Sequence, residues 1–268
     1  TPALEELAAG VTAARRGPHW KTTHRKKSRN FEVMSDHSAA LAQDVGNDLE
    51  QALRIFTRYF RPFPETRREA RVFVFSSRDA YMEYARELGA GLDHSAGAYL
   101  PRLGVLVIWM PVDRADFRAT VRHEGFHQYV HNFAENLPLW FNEGYAEHFG
   151  NAELGLGRVE HDAKMFRYAQ RVAEARGDFV GVERLMRMPR DEFMANARVR
   201  YVEAWALVRM LAETREPAYR GLLRGYFDAL VAGRSADTAF DEVVKPVIRE
   251  LEIEFRLYVE RLALESDD

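Results

Sequence analysis

The sequence contains no cysteine. Disulfides, thiolate-ligated zinc and thiol catalysis are therefore excluded, although the compartment is not set by this alone. It has no apolar run near the ~18–20 residues that cross a bilayer, so no transmembrane segment is expected. The longest apolar stretch, Val105 to Val112, reads as a buried strand. Net charge is only −3, which gives no electrostatic footprint for nucleic acid or an anionic membrane. One local basic run, Lys21, Arg25, Lys26, Lys27 and Arg29, lies beside Trp20 and Phe31. With no support elsewhere it reads as a solvated strand or arm. The chain begins at Thr1 without a methionine, and a removed leading segment is expected.

What remains is an ordinary globular composition, 47% hydrophobic and 29% charged over 268 residues. That is enough for one large domain or two lobes with a sizeable core. A short helix is expected near Leu4–Ala14, followed by a loosely packed arm to residue 29. Phe31 to Met34 alternates like a strand. From Ser38 to Phe60, apolar residues at Leu41, Val45, Leu49, Leu53, Phe56 and Phe60 recur at helical spacing, and Pro62 and Pro64 end that helix. Val72–Phe75 and Val105–Met110 read as buried strands. Ser76 or Ser77 caps a helix from Asp79 to Leu88, and Asp113 caps a helix starting near residue 114. Beyond residue 113 strand signals nearly vanish. Helical patterns fit about 114–134, 138–149, 160–176, 199–215, 217–231 and 246–263. The expectation is α+β: an N-terminal arm over 1–29, an α/β lobe with a small sheet over 30–113, and a mostly helical lobe over 114–268. The helix at residue 114 would lie at the junction of the lobes, where clefts form.

The chemistry is concentrated in His123-Glu124-Gly125-Phe126-His127. HExxH on a helix stacks two imidazoles one turn apart on one face, where both can bind one metal ion. Glu124 beside them is placed to take a proton from water. The pattern is the signature of a zinc metallopeptidase, and Zn2+ is the expected cofactor. The metzincin places for a glycine and a third histidine hold Val130 and Phe133, so that class is rejected. The segment Leu137 to Glu147 supplies a carboxylate instead. Glu143 is the expected third ligand. Glu147, one turn on, is expected to orient a ligand histidine by hydrogen bonding. His131, His148 and His161 are the rival ligands.

The motifs resemble those of the gluzincins, HExxH metallopeptidases whose third ligand is glutamate. Trp140-Phe141-Asn142-Glu143-Gly144-Tyr145-Ala146 is similar to the W-x-N-E-G-F-A segment of their aminopeptidase branch. Tyr201 to Leu211 is similar to that branch's tyrosine-bearing helix, with Tyr201 58 residues after Glu143. This implies that Tyr201 donates a hydrogen bond to the tetrahedral intermediate. Over about residues 30–262 the chain also resembles small bacterial peptidase-MA-like families. The matching elements are a strand–long helix–strand opening, Ala96-Gly97-Ala98-Tyr99, HExxH, the Glu143 helix and a terminal helix carrying Glu252 to Val259. The resemblance implies a thermolysin-like zincin fold, and export to the periplasm or beyond, since members are often exported.

The likeness to the aminopeptidase branch has limits. The linker from His127 to Glu143 is shorter, at fifteen residues. The place of the amine-gripping G-x-M-E-N glutamate reads Gly97-Ala98-Tyr99-Leu100-Pro101, without an acid. An endopeptidase is expected over an aminopeptidase, with Gly97, Ala98 and Tyr99 as an edge strand that pairs with an extended peptide or protein substrate. Two alternatives stand beside this reading. One is an inactive peptidase-like protein binding peptides or partners in the same cleft. The other is a zinc amidase acting on cell-wall peptides.

Overall fold

The computed structural model describes residues 2–62, 70–92, 95–111, 114–155, 158–160 and 163–265. The protein is α+β, with a five-stranded sheet towards the N-terminus and a helical C-terminal region. It divides into two compact units, Thr1–Asn132 and Phe133–Asp268.

The first unit begins with α1 (Pro2–Arg16). Strands β1 (His24–Lys27) and β2 (Phe31–Ser35) follow, then the long helix α2 (Ala39–Tyr59) and β3 (Ala70–Phe75). Helix α3 (Arg78–Glu87), strands β4 (Gly97–Leu100) and β5 (Val105–Trp109), and helix α4 (Arg114–Val130) complete it. The strand order is β1-β2-β3-β5-β4. The three central strands run parallel; β1 and β4 are antiparallel edges. Parallel neighbours require a crossover, and α2 and α3 supply the two. Both helices start at serine caps: Ser38 accepts the Leu41 N–H at 3.1 Å, and Ser77 the Ala80 N–H at 3.4 Å. Asp113 and Pro64 lie outside the described residues.

Alternation along the strands splits the core in two. Met34, Phe73, Phe75, Val105 and Val107 pack with Ala13 and Ala14 of α1 and Tyr81 and Tyr84 of α3. Val33, Val72, Val74, Leu106 and Ile108 are buried on the opposite face, where α2 and α4 lie against the strands and each other. Residues 24–27, in the basic run expected as a solvated strand or arm, form β1. The turn that returns β1 to β2 is anchored on α2. Glu50 accepts the Ser28 hydroxyl at 2.7 Å, the Asn30 N–H at 2.7 Å and the Asn30 amide at 2.5 Å.

The second unit carries α5 (Leu139–Gly150), a short hairpin of β6 (Glu153–Gly155) and β7 (Arg158–Glu160), and α6 (Ala163–Ala175). The short helices α7 (Val182–Met186) and α8 (Arg190–Ala195) lead into α9 (Ala197–Glu213). Then come α10 (Leu222–Val231), α11 (Ala236–Ala239) and α12 (Ile248–Glu265). The hairpin departs from the expectation of a region almost without strands. Helix α5 lies along α9, and α6 along α12. Aromatic rings fill this core: Trp140 sits 5.2 Å from Tyr226, and Phe141 stacks on Phe227 at 5.9 Å.

Candidate metal centre

The HExxH residues lie on α4, within the first unit. Four local features hold that helix. Gly125 lets α2 approach so closely that a β-carbon there would stand 2.7 Å from Leu49 Cδ2. Gly97 does the same on the sheet side, where a β-carbon would meet Thr120 Cγ2 at 2.7 Å and Glu124 Cγ at 3.2 Å. Beside His123, the buried guanidinium of Arg122 forks onto Asp48 of α2, with contacts of 2.9, 3.1 and 3.2 Å. Phe126 and Tyr129 seal the α2 side against Phe56 and Phe60, with centroids 5.4–6.1 Å apart.

On the opposite face the rings of His123 and His127 are neighbours, 4.7 Å apart at 82°. Both are partly buried, whereas Glu124 is 8% exposed. The Glu124 carboxylate accepts the backbone N–H of Tyr99 at 2.7 Å. This bond ties the expected base to β4 and restricts its rotamer.

Glu143 is buried on α5. The glycine after it permits close packing on α9: a β-carbon at Gly144 would lie 2.7 Å from the Ala204 carbonyl oxygen and 2.8 Å from Val208 Cγ2. Thus Glu124 and Glu143 are each followed by a glycine against which a second helix packs closely, through the Leu49 side chain at Gly125 and through the Ala204 backbone at Gly144. His123, His127 and Glu143 each offer one ligand atom, and these atoms all lie within 4.8 Å of one another. Zinc bonds of ~2.0–2.2 Å to nitrogen and oxygen place tetrahedral ligands about 3.4 Å apart, a spacing comparable with that of the grouped atoms. Two imidazoles and one carboxylate are a donor set suited to zinc and related divalent metals. The residues present fit such an ion.

The other expected residues fall as follows. The Glu147 carboxylate accepts the Tyr168 hydroxyl and the Asn151 amide, the latter at 2.8 Å to the same oxygen. Tyr201, on α9, packs at 5.8 Å against Phe193. Glu147, Tyr168 and Tyr201 line one cavity of about 890 Å3, together with Arg171 and Asp178. Gly97, Ala98 and Tyr99 form the edge strand β4. Its outward N–H groups already have acceptors: Ser95 Oγ takes that of Gly97 at 3.1 Å, and Glu124 that of Tyr99. His131 lies just past the end of α4 and meets the Tyr99 ring edge-on at 5.7 Å. His148 is 1% exposed, packed beside Phe149 and Tyr145. His161 lies outside the described residues. Sequence reasoning missed Tyr168, whose link to Glu147 joins two helices and leaves no local pattern.

Residues 118–225 match the model of a family described as "Protein of unknown function (DUF1570)". The match takes in His123, Glu124, His127, Glu143, Glu147, Tyr168 and Tyr201. No curated protein matches the chain.

Proposed function

We propose that this protein is a metal-dependent peptidase of the gluzincin type, with zinc held by His123, His127 and Glu143. The observation that carries the reading is the grouping of those three ligand atoms, with Glu124 on the helix of the two histidines and its carboxylate tied to β4. A structural zinc site is normally closed by four protein ligands; three with a neighbouring base fit a catalytic one. When bound, such an ion polarises a carbonyl and brings the pKa of water towards neutrality.

The remaining work falls to the protein's side chains. Glu124 removes a proton from the attacking water and delivers it to the departing amine, so the peptide bond is exchanged for a carboxylate and an amine. The Tyr99 N–H holds one oxygen of Glu124, so the base need not search for its geometry. The Tyr201 hydroxyl donates to the carbonyl oxygen as that atom gains charge. The substrate is a peptide or protein chain, cleaved internally: β4 carries no acid to grip a free amine.

The test is metal content by mass spectrometry, beside Glu143→Ala and Glu124→Gln. About one zinc per chain is expected, lost in Glu143→Ala and retained in Glu124→Gln. Hydrolysis over a peptide and muropeptide panel should vanish in Glu124→Gln. Tyr201→Phe should lower the rate while keeping the metal. A wild-type protein without metal after reconstitution, or an active Glu124→Gln, overturns the reading.

A further inference from the structure

Glu147 sits one turn beyond Glu143 on α5, so its carboxylate shares the ligand-bearing face of that helix. Its Oε2 receives two donors. One is Asn151 Nδ2, which also reaches the Glu147 carbonyl at 2.9 Å and belongs to the cap of α5. The other is the hydroxyl of Tyr168, which comes from α6. The second ties this carboxylate to another element.

Tyr168 is itself clamped. Its ring lies 4.6 Å from Trp205 of α9 on one side, and the Arg171 guanidinium stands 4.9 Å over it. It is 4% exposed. Burial first, and the charge of Glu147 second, push its hydroxyl well above the usual tyrosine range. The group therefore stays protonated and acts as a donor at any working pH. A buried tyrosine commonly satisfies its hydroxyl on a backbone carbonyl, as Tyr84 does on Ala13 at 3.1 Å. Here the acceptor is a carboxylate in the wall of the cavity that also holds Tyr201.

We infer that Tyr168 is a positioning residue of the metal centre: it fixes the Glu147 carboxylate from α6, and Glu147 stands one turn from the ligand Glu143 on the same face of α5. The inference rests on the proposed metal site. Partners in the shell behind the ligands set ligand direction and basicity, and losing one costs about 10–100-fold in metal affinity.

The experiment measures zinc affinity by chelator competition, and the absorption spectrum of the cobalt-substituted protein. The variants are Tyr168→Phe, Glu147→Gln and the pair combined. Tyr168→Phe should bind zinc about tenfold more weakly and show a shifted cobalt spectrum, with its melting temperature little changed. In the Glu147→Gln background the same substitution should add nothing further. Wild-type affinity and spectrum in Tyr168→Phe overturn the inference, as does an equal loss in the Glu147→Gln background. Should Tyr168→Phe not fold, Glu147→Gln decides alone, and unchanged affinity there overturns it. If the wild-type chain binds neither zinc nor cobalt, the metal-site reading fails and the role of Tyr168 falls with it.

Discussion

Replacing Asp48 by alanine should unfold the first unit far more easily than its small change in volume implies. The Asp48 carboxylate is the bidentate partner of Arg122, and their side chains are only 4% and 8% exposed. Truncation removes the anion and leaves the buried guanidinium without that counter-charge. Breaking a buried pair from one side costs about 3–5 kcal/mol, mostly through the stranded charge. With urea m-values of roughly 1–3 kcal/mol/M, the midpoint should fall by about 2 M. The assay is urea unfolding followed by circular dichroism. A companion variant, Asp48→Leu with Arg122→Met, tests the cause. It removes both charges from the same space and should recover most of the loss, because an apolar replacement of a buried pair is often neutral or stabilising. A fall of less than about 0.5 M in Asp48→Ala refutes the reasoning. So does a double variant as unstable as the single one, which would make lost packing the cause.

Two further outcomes follow from the second unit. Gly144→Ala places a methyl 2.7 Å from a backbone oxygen of α9, which no rotamer change relieves. It should cost about 1–3 kcal/mol, lower the melting temperature by roughly 3–10 °C and weaken zinc binding as Glu143 shifts; an unchanged melt refutes the close-packing account. Burial raises the Glu203 carboxyl from 4.5 to about 7, against the opposing pull of Arg200 and the Val180 and Gly181 N–H groups. The folded state then binds that proton more tightly than the unfolded chain. Stability from this group is full below pH 4.5, declines as pH rises through about 7, and levels off above, by about 3 kcal/mol at most. Urea unfolding at pH 5 and pH 8 should show this loss in the wild type and much less of it in Glu203→Gln; equal losses in the two refute the assignment.

The helical placement of His123, Glu124 and His127 on α4 was legible because their spacing is local. The same holds for Glu143 and Glu147 on α5, and for β2, β3 and β5, whose apolar runs announce buried strands. Strand β1 was not legible as part of the sheet. Its residues are His24, Arg25, Lys26 and Lys27, and its place is set by the Glu50 anchor on α2, a contact remote in sequence. Helix α4 stops at Val130, earlier than its apolar pattern suggested, because residues 131–133 form a turn. Helices α7 and α8 are too short to show a period. The Asp48–Arg122 and Glu147–Tyr168 contacts join residues 74 and 21 apart, and no periodicity signals such pairs.

The bond between Tyr99 and Glu124 also bears on how copies of the protein treat one another. A sheet with an open edge is a template on which another chain can add a strand. At β4 the outward N–H groups of Gly97 and Tyr99 are already occupied by Ser95 and Glu124. At the other edge, β1 presents exposed Arg25 and Lys27, and a second cationic strand laid alongside would be repelled. Both borders of the sheet thus discourage self-association. The hydrogen bond that steadies the proposed base thus also occupies a donor on which a further strand would build.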